Sequence, residues 1–363
     1  MNPKKQIVVR WSLPMIPVYD NLHEQISRPL VLLDGVVGLD GSDLVKVSHK
    51  GKIIWRCPHN WGFWGSPVKL DDDTIACASG NNQLHFIDRV GEVVQTFELP
   101  TSISTEILVS NSDLWFGMGA YDCEVVRFSS RGSIIYTQSI ARDKGLRQPL
   151  AWGANGSIWV ATDQSLVRLD AQSGKILTWL GDERGRFGCV SGAVASAGGT
   201  LIVAALPEQP CAVVKVADDG TILAKYPIPN LLRARLLADP SNGAWIVGST
   251  VSVWEPPTDS DRTFIICTTP DGKPEAITEA HARRSVEATI DPSGAFWVGT
   301  YSYEDMDDSE VGELAVYEGA AIPSMTWMPN PLAGVGAPVL NPDGNSGVVA
   351  TSKALVAFTI ENT

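Results

Sequence analysis

One short pattern recurs along nearly the whole chain. Its clearest copy runs Ala154-Asn-Gly-Ser-Ile-Trp-Val-Ala-Thr-Asp163, then Ser165-Leu-Val-Arg-Leu-Asp170, then Gly174-Lys-Ile-Leu-Thr-Trp179. A turn leads into an apolar strand, a gap, an alternating strand, a glycine turn and a further strand. The apolar second strand returns as Val36-Val37-Gly38, Ile75-Ala76-Cys77-Ala78, Leu114-Trp115-Phe116-Gly117, Ile158-Trp159-Val160-Ala161, Leu201-Ile202-Val203-Ala204, Trp245-Ile246-Val247-Gly248, Phe296-Trp297-Val298-Gly299 and Val348-Val349-Ala350. Four strands per unit at a spacing of about 40–45 residues is the signature of a β-propeller blade. Eight such segments in 363 residues predict an all-β, eight-bladed propeller. The compressed start of the first unit, from Arg28 to Pro58, leaves seven blades open.

The other strands follow in order. Third strands such as Leu44-Val-Lys-Val47, Val125-Val-Arg-Phe128, Leu166-Val-Arg-Leu169 and Val213-Val-Lys-Val216 place a cation between apolar residues, the pattern of a half-exposed strand. Hairpin turns then end on Gly51, Gly91, Gly132, Gly174, Gly220 and Gly272, where positive φ is expected. The small residue closing each second strand suits close approach of neighbouring sheets. Trp115, Trp159 and Trp297 fall in phase and predict one repeated position between blades. The last unit ends soon after Phe358 without a fourth strand, whereas Lys5–Trp11, followed by Leu13-Pro14, resembles a fourth strand. The N-terminal strand is therefore expected to complete the final blade and protect its open edge.

The unbroken repeat argues for one domain over 1–363. The opening residues lack a signal-peptide pattern, and no apolar run has the length of a membrane span. Six dispersed Cys without a Cys-x-x-Cys pair read as buried small apolar residues, so a reduced, cytoplasmic setting is expected. A net charge of −13 argues against nucleic acid as a partner.

The repeat resembles those of quinoprotein-like, streptogramin lyase-like and gluconolactonase/senescence-marker-like propellers. The third resemblance is carried by Ile290-Asp-Pro-Ser-Gly-Ala-Phe-Trp-Val-Gly-Thr300, Gly312-Glu-Leu-Ala-Val-Tyr317 and Asn341-Pro-Asp-Gly344. It implies a lactonase-like hydrolase or lyase holding a divalent metal. The two Asn positions of that metal set fall in Ser285–Ile290 and Ala333–Pro338, neither of which contains Asn. The adjacent Cys pair of many quinoproteins has no counterpart either.

Loops supply the candidate site residues. Segments between blades carry Arg142, Lys144 and Arg147, then Arg184 and Arg186, then Arg233 and Arg235, then Arg283 and Arg284. Arg147, Arg186, Arg235 and Arg283 occupy comparable points and, converging, would bind a small anionic ligand or an acidic protein surface. Local acids offer them alternative partners. Loops 256–261 and 301–310 are acidic but lack the spacing of a calcium loop. The stretch Pro58-His-Asn-Trp-Gly-Phe-Trp-Gly65 is aromatic, and Trp61 and Trp64 could stack on a ligand, anchor a partner or cap the core. Catalytic candidates are Glu287, His59 and Tyr301, without a Ser/His/Asp set identifiable by spacing. Two readings result. One is a binding or scaffold propeller for a protein or anionic ligand, without a cofactor. The other is a hydrolase or lyase with an altered site, for which a divalent metal is possible.

Overall fold

The computed structural model describes residues 5–15, 19–20, 25–111, 113–119, 124–140, 149–162, 164–181, 188–205, 210–250, 261–281, 285–304, 309–318, 323–330, 333 and 335–362. The chain is an all-β, eight-bladed propeller. Blade 1 comprises Leu30–Leu32, Gly35–Asp40, Asp43–Val47 and Ile53–Cys57; blade 2 comprises Phe63–Lys69, Ile75–Ser79, Gln83–Ile87 and Val93–Glu98. Blades 3 to 7 open with Leu108–Ser110, Ala151–Trp152, Gly188–Cys189, Arg233–Ala238 and Ser285–Ile290, and each is antiparallel. The compressed start of blade 1 does not remove a blade: its first strand has three residues, as in blade 3, and it forms a complete four-stranded sheet.

Blade 8 uses both chain ends. Its inner strands are Val339–Leu340, Ser346–Ala350 and Ala354–Asn362, and Lys5–Pro14 pairs antiparallel with the last of these. The register runs from Lys5 opposite Asn362 to Pro14 opposite Ala354. Two compact units result. Residues 1–98, 251–261 and 281–363 hold blades 7, 8, 1 and 2, whereas residues 99–250 and 262–280 hold blades 3 to 6.

The same local devices repeat in both units. In the hairpin between third and fourth strands, the Gly51 N–H donates to Ser48 O, Gly91 to Asp88 O, Gly220 to Ala217 O and Gly272 to Thr269 O. Each of these glycines has positive φ, from 77° to 90°, as a type I turn followed by a left-handed residue requires. Just beyond the turn the register slips, because Val47 faces Ile53 while Lys46 faces Trp55. Ile54 is the extra residue of a β-bulge, as are Val94, Ile135, Leu177 and Leu223 in the next four blades. The aliphatic doublets Ile53-Ile54, Val93-Val94, Ile134-Ile135 and Ile222-Leu223 are exposed there. A bulge interrupts regular pairing on an open edge and so discourages addition of a foreign strand.

The cations of the third strands are not half-exposed as their alternation suggests. Lys46, Arg168 and Lys215 are 2%, 8% and 6% exposed. Their charges find partners that single-strand periodicity cannot show. Lys46 Nζ lies 2.7 Å from the Asp34 carboxylate. Arg168 donates to Asp218 O at 2.9 Å and lies 3.2 Å from its carboxylate, on the next blade. Lys215 reaches Asp271 of the following blade at 2.8 Å. Arg127 binds Asp113 of its own blade and donates to Gln172 O of the next. Removing the partner of such a buried cation leaves the charge uncompensated and costs far more than breaking a surface pair.

A second clasp joins successive blades. Trp11 Nε1 donates to His49 O at 2.9 Å, Trp55 Nε1 to Arg89 O at 3.0 Å, the Tyr136 hydroxyl to Ala171 O at 3.2 Å and Thr178 Oγ1 to Asp218 O at 2.9 Å. In each case a fourth-strand side chain lies over the next blade's turn glycine. A Cβ on Gly91 would stand 2.6 Å from the Trp55 ring, and one on Gly174 would stand 2.7 Å from the Tyr136 ring.

Trp115, Trp159 and Trp297 occupy one register position in their second strands and are buried. Trp245 shares that place in blade 6. Trp297 packs on Phe358 of blade 8 at 5.6 Å and donates to Asp291. The crowding inferred for the small residue closing each second strand holds only in part. A Cβ on Gly248 would meet Leu231 at 2.5 Å, in the segment entering its blade, whereas Gly38 has only ordinary contacts with Leu355.

Removal of residues 1–12 strips the outer strand of blade 8, the Trp11 clasp and the Arg10–Glu361 ion pair. The truncated chain is expected to melt well below the full chain in a thermal scan followed by circular dichroism. Coincident melting curves would contradict closure by this strand.

Candidate interaction site

The aromatic loop between blades 1 and 2 is built by its backbone first. The Gly62 N–H donates to His59 O at 3.2 Å, with Gly62 at φ 71°. The Phe63 N–H donates to Ser42 O, in the loop joining the second and third strands of blade 1. Gly80, in the corresponding loop of blade 2, donates to Gly62 O at 3.0 Å. Three loops from two blades thus hold one another. A Cβ on Gly80 would stand 2.7 Å from Trp61 O, so this approach requires glycine.

Side chains then fix the loop from beneath. His59, Phe63 and His85 form a ring cluster with centroid separations of 4.6–5.4 Å. Phe63 and His85 are buried. Ser79 Oγ donates to Asn81 Oδ1 at 2.6 Å, so it accepts from His85 Nε2 at 2.9 Å. His85 therefore carries its proton on Nε2, and its Nδ1 accepts from the Thr96 hydroxyl at 3.0 Å. The arrangement contains a serine and a histidine in contact but no carboxylate on the imidazole, and Ser79 is fully buried. It is a packing network, not a nucleophile with its base. Burial, with the neighbouring His59, pushes the His85 imidazole down to about 4.

Trp61 projects from this support. It is 71% exposed, and its backbone N–H donates to His59 Nδ1 at 3.3 Å. A rigidly held, exposed indole is a preorganised anchor, able to bury a large area at little ordering cost. Trp64 is placed differently. It lies in the first strand of blade 2, opposite Ala78, and is half-buried at the start of a bulge. That bulge meets the chain entering blade 1. Ser27 Oγ donates to Gly65 O, the Arg28 N–H donates to Ser66 Oγ, and the Arg28 guanidinium donates to Ala288 O of blade 7 at 3.1 Å.

The remaining candidates separate. Arg235, in the first strand of blade 6, lies 2.8 Å from Glu106 at the entry to blade 3. Its charge serves a tie between the first and last blades of that unit. Arg147, Arg186, Arg283 and the Tyr301 side chain lie outside the described residues. Glu287 is buried in blade 7 opposite Gly299, on a different blade from His59. Among the described residues, no group of three or more His, Cys, Asp or Glu is placed to hold a metal ion, and no helix is long and apolar enough to cross a membrane. Sequence reading missed His85, Ser42 and Gly80 as supports of the loop. In blade 2 the place that Lys46, Arg127, Arg168 and Lys215 take in other third strands belongs to Phe86, and His85 stands one residue earlier, on the opposite face of the strand.

No family model matches the chain, and no curated protein matches it. Its fold is shared with solved structures over nearly full length. BamB from Moraxella catarrhalis aligns with a TM-score of 0.66 at 11% identity, covering 97% of each chain. The C-terminal WD40 domain of Sif2 aligns with a TM-score of 0.67 at 11% identity, covering 99% of each chain. At this identity the likeness shows the propeller fold alone.

The His85 environment makes stability depend on pH in a definite direction. The folded value, about 4, lies below the ordinary value of about 6.5. The unfolded chain therefore takes up a proton first as pH falls. Stability contributed by neutral His85 is complete above about pH 6.5 and lost progressively towards pH 4, amounting to about 3 kcal/mol. Urea unfolding at pH 7 and pH 4.5 is expected to show this loss, and His85→Gln is expected to flatten the slope. An identical slope in the variant would contradict it.

Proposed function

We propose that this chain is a binding propeller that recognises a protein partner through the loop face shared by blades 1 and 2, with Trp61 as the anchor. The observation that carries the reading is the 71% exposure of Trp61 on a loop pinned by three backbone hydrogen bonds and a ring cluster. Large exposed aromatics on rigid supports are the groups that dominate interface energetics. The surroundings suit a partner chosen by shape and hydrogen bonding. Neighbouring loops present Ser42, Asn60, Asn81 and Asn82, and the nearby Arg56 is already bound to Asp40 and Asp43. The reading based on an anionic ligand is less well supported, because Arg235, the one described member of its four arginines, is paired with Glu106.

A photo-crosslinking amino acid at position 61, introduced into the full chain in its native cells, identifies the partner. Position 90, in the turn at the opposite end of blade 2, serves as control. With the partner purified, Trp61→Ala is expected to weaken binding by about 2 kcal/mol or more, roughly 30-fold. Its melting temperature should stay near that of the parent, because the side chain is exposed. Equal affinity in the variant, or crosslinking from position 90 alone, would overturn the reading.

A further inference from the structure

The geometry points to His59 as a proton-operated latch on the Trp61 loop, closed while its imidazole is neutral and opened by protonation. This inference rests on the reading of Trp61 as a binding anchor and concerns its regulation. The key contact is short-range and directional. The Trp61 backbone N–H donates to His59 Nδ1 at 3.3 Å. That nitrogen can accept only while it carries no proton. Protonation sets one N–H against another and removes the hydrogen bond that ties the indole-bearing residue to the ring cluster.

The neighbours reinforce the effect. The His59 ring lies edge-on to His85 at 4.6 Å and against Phe63 at 5.1 Å. His85 is buried and bonded through both nitrogens, so it cannot turn away from a charged His59. The charged imidazole gains only by leaving the apolar cluster for water. Gly62, next to Trp61 and with φ 71°, is a pivot that accommodates that movement.

Among the described residues, other charges do not supply a counterion within the cluster. Glu98, which favours charge on His85, is engaged by the Gln83 amide. Asp43 is committed to Arg56. The Cys77 thiol opposite His85 is pushed up to about 12 by burial and stays neutral. The Cys57 thiol is also raised by burial. Burial lowers His59 as well, which places the opening below the ordinary imidazole range of about 6.5.

The test uses full-length protein labelled with 5-fluorotryptophan and needs no partner, so its failure is distinct from failure of the binding reading. The Trp61 fluorine resonance is assigned by its absence in Trp61→Phe. Between pH 7.5 and 5 it is expected to shift along a single titration curve with a midpoint below 6.5. In His59→Asn the side-chain carbonyl can still accept from the N–H two residues on, as in an Asx-turn, but does not titrate. The resonance should then hold its neutral-pH position throughout. Circular dichroism at each pH confirms that the fold persists. A Trp61 resonance that does not move in the parent, or that moves identically in His59→Asn, overturns the latch. In the parent, affinity for an identified partner should fall at least 10-fold from pH 7.5 to 5.5, and in His59→Asn it should not.

Discussion

Blades 8, 1, 3 and 4 each lean on the next through one repeated contact, a fourth-strand side chain laid over a turn glycine and bonded to a turn carbonyl. Trp11 with Gly51, Trp55 with Gly91, Tyr136 with Gly174 and Thr178 with Gly220 are four copies. The contact couples three requirements. The turn must place glycine at positive φ, the bulge beyond it must set the direction of the outer strand, and the side chain must carry a donor. Buried cations of the third strands reach the same turns from the inside, as Arg168 does at Asp218 and Lys215 at Asp271. Apolar burial supplies cohesion between the sheets, while these polar contacts fix their register.

The interaction site inherits its rigidity from that framework. Trp55 docks blade 1 on the turn of blade 2 at one end of the strands. At the other end the chain leaves Cys57 and forms the loop that carries His59 and Trp61. That loop is held by Ser42 from one blade and Gly80 from the other. Its ring cluster lies at the end of the blades opposite the turns that the third-strand cations reach.

Much of the fold was legible because propeller blades are local and repetitive. Second strands, turn glycines and the missing fourth strand could each be read from a few neighbouring residues. The Lys5–Pro14 pairing was inferred across the whole chain because one end lacked what the other supplied. The third-strand cations were misread, since alternation within one strand cannot reveal a carboxylate on the next blade. The bulges had a visible sign in the aliphatic doublets after Gly51, Gly91, Gly132, Gly174 and Gly220, which break strict alternation. The site was only half legible. Trp61 stood out by composition, but its separation from Trp64 and its hydrogen bond to His59 depend on backbone placement. Arg235 looked like a member of a basic cluster because Glu106, 129 residues away, is invisible to local reading.

The clasp is tested most directly by a double-mutant cycle at Trp55 and Gly91, read by urea unfolding. A Cβ on Gly91 meets the Trp55 ring at 2.6 Å and also incurs the strain of positive φ. Gly91→Ala in the parent should therefore carry both costs, about 2–4 kcal/mol together. In the Trp55→Ala background only the backbone strain remains, and the two changes should couple by about 1 kcal/mol or more. Equal costs of Gly91→Ala in the two backgrounds would show that the ring and the glycine are independent, and would contradict the clasp as the contact on which blade succession depends.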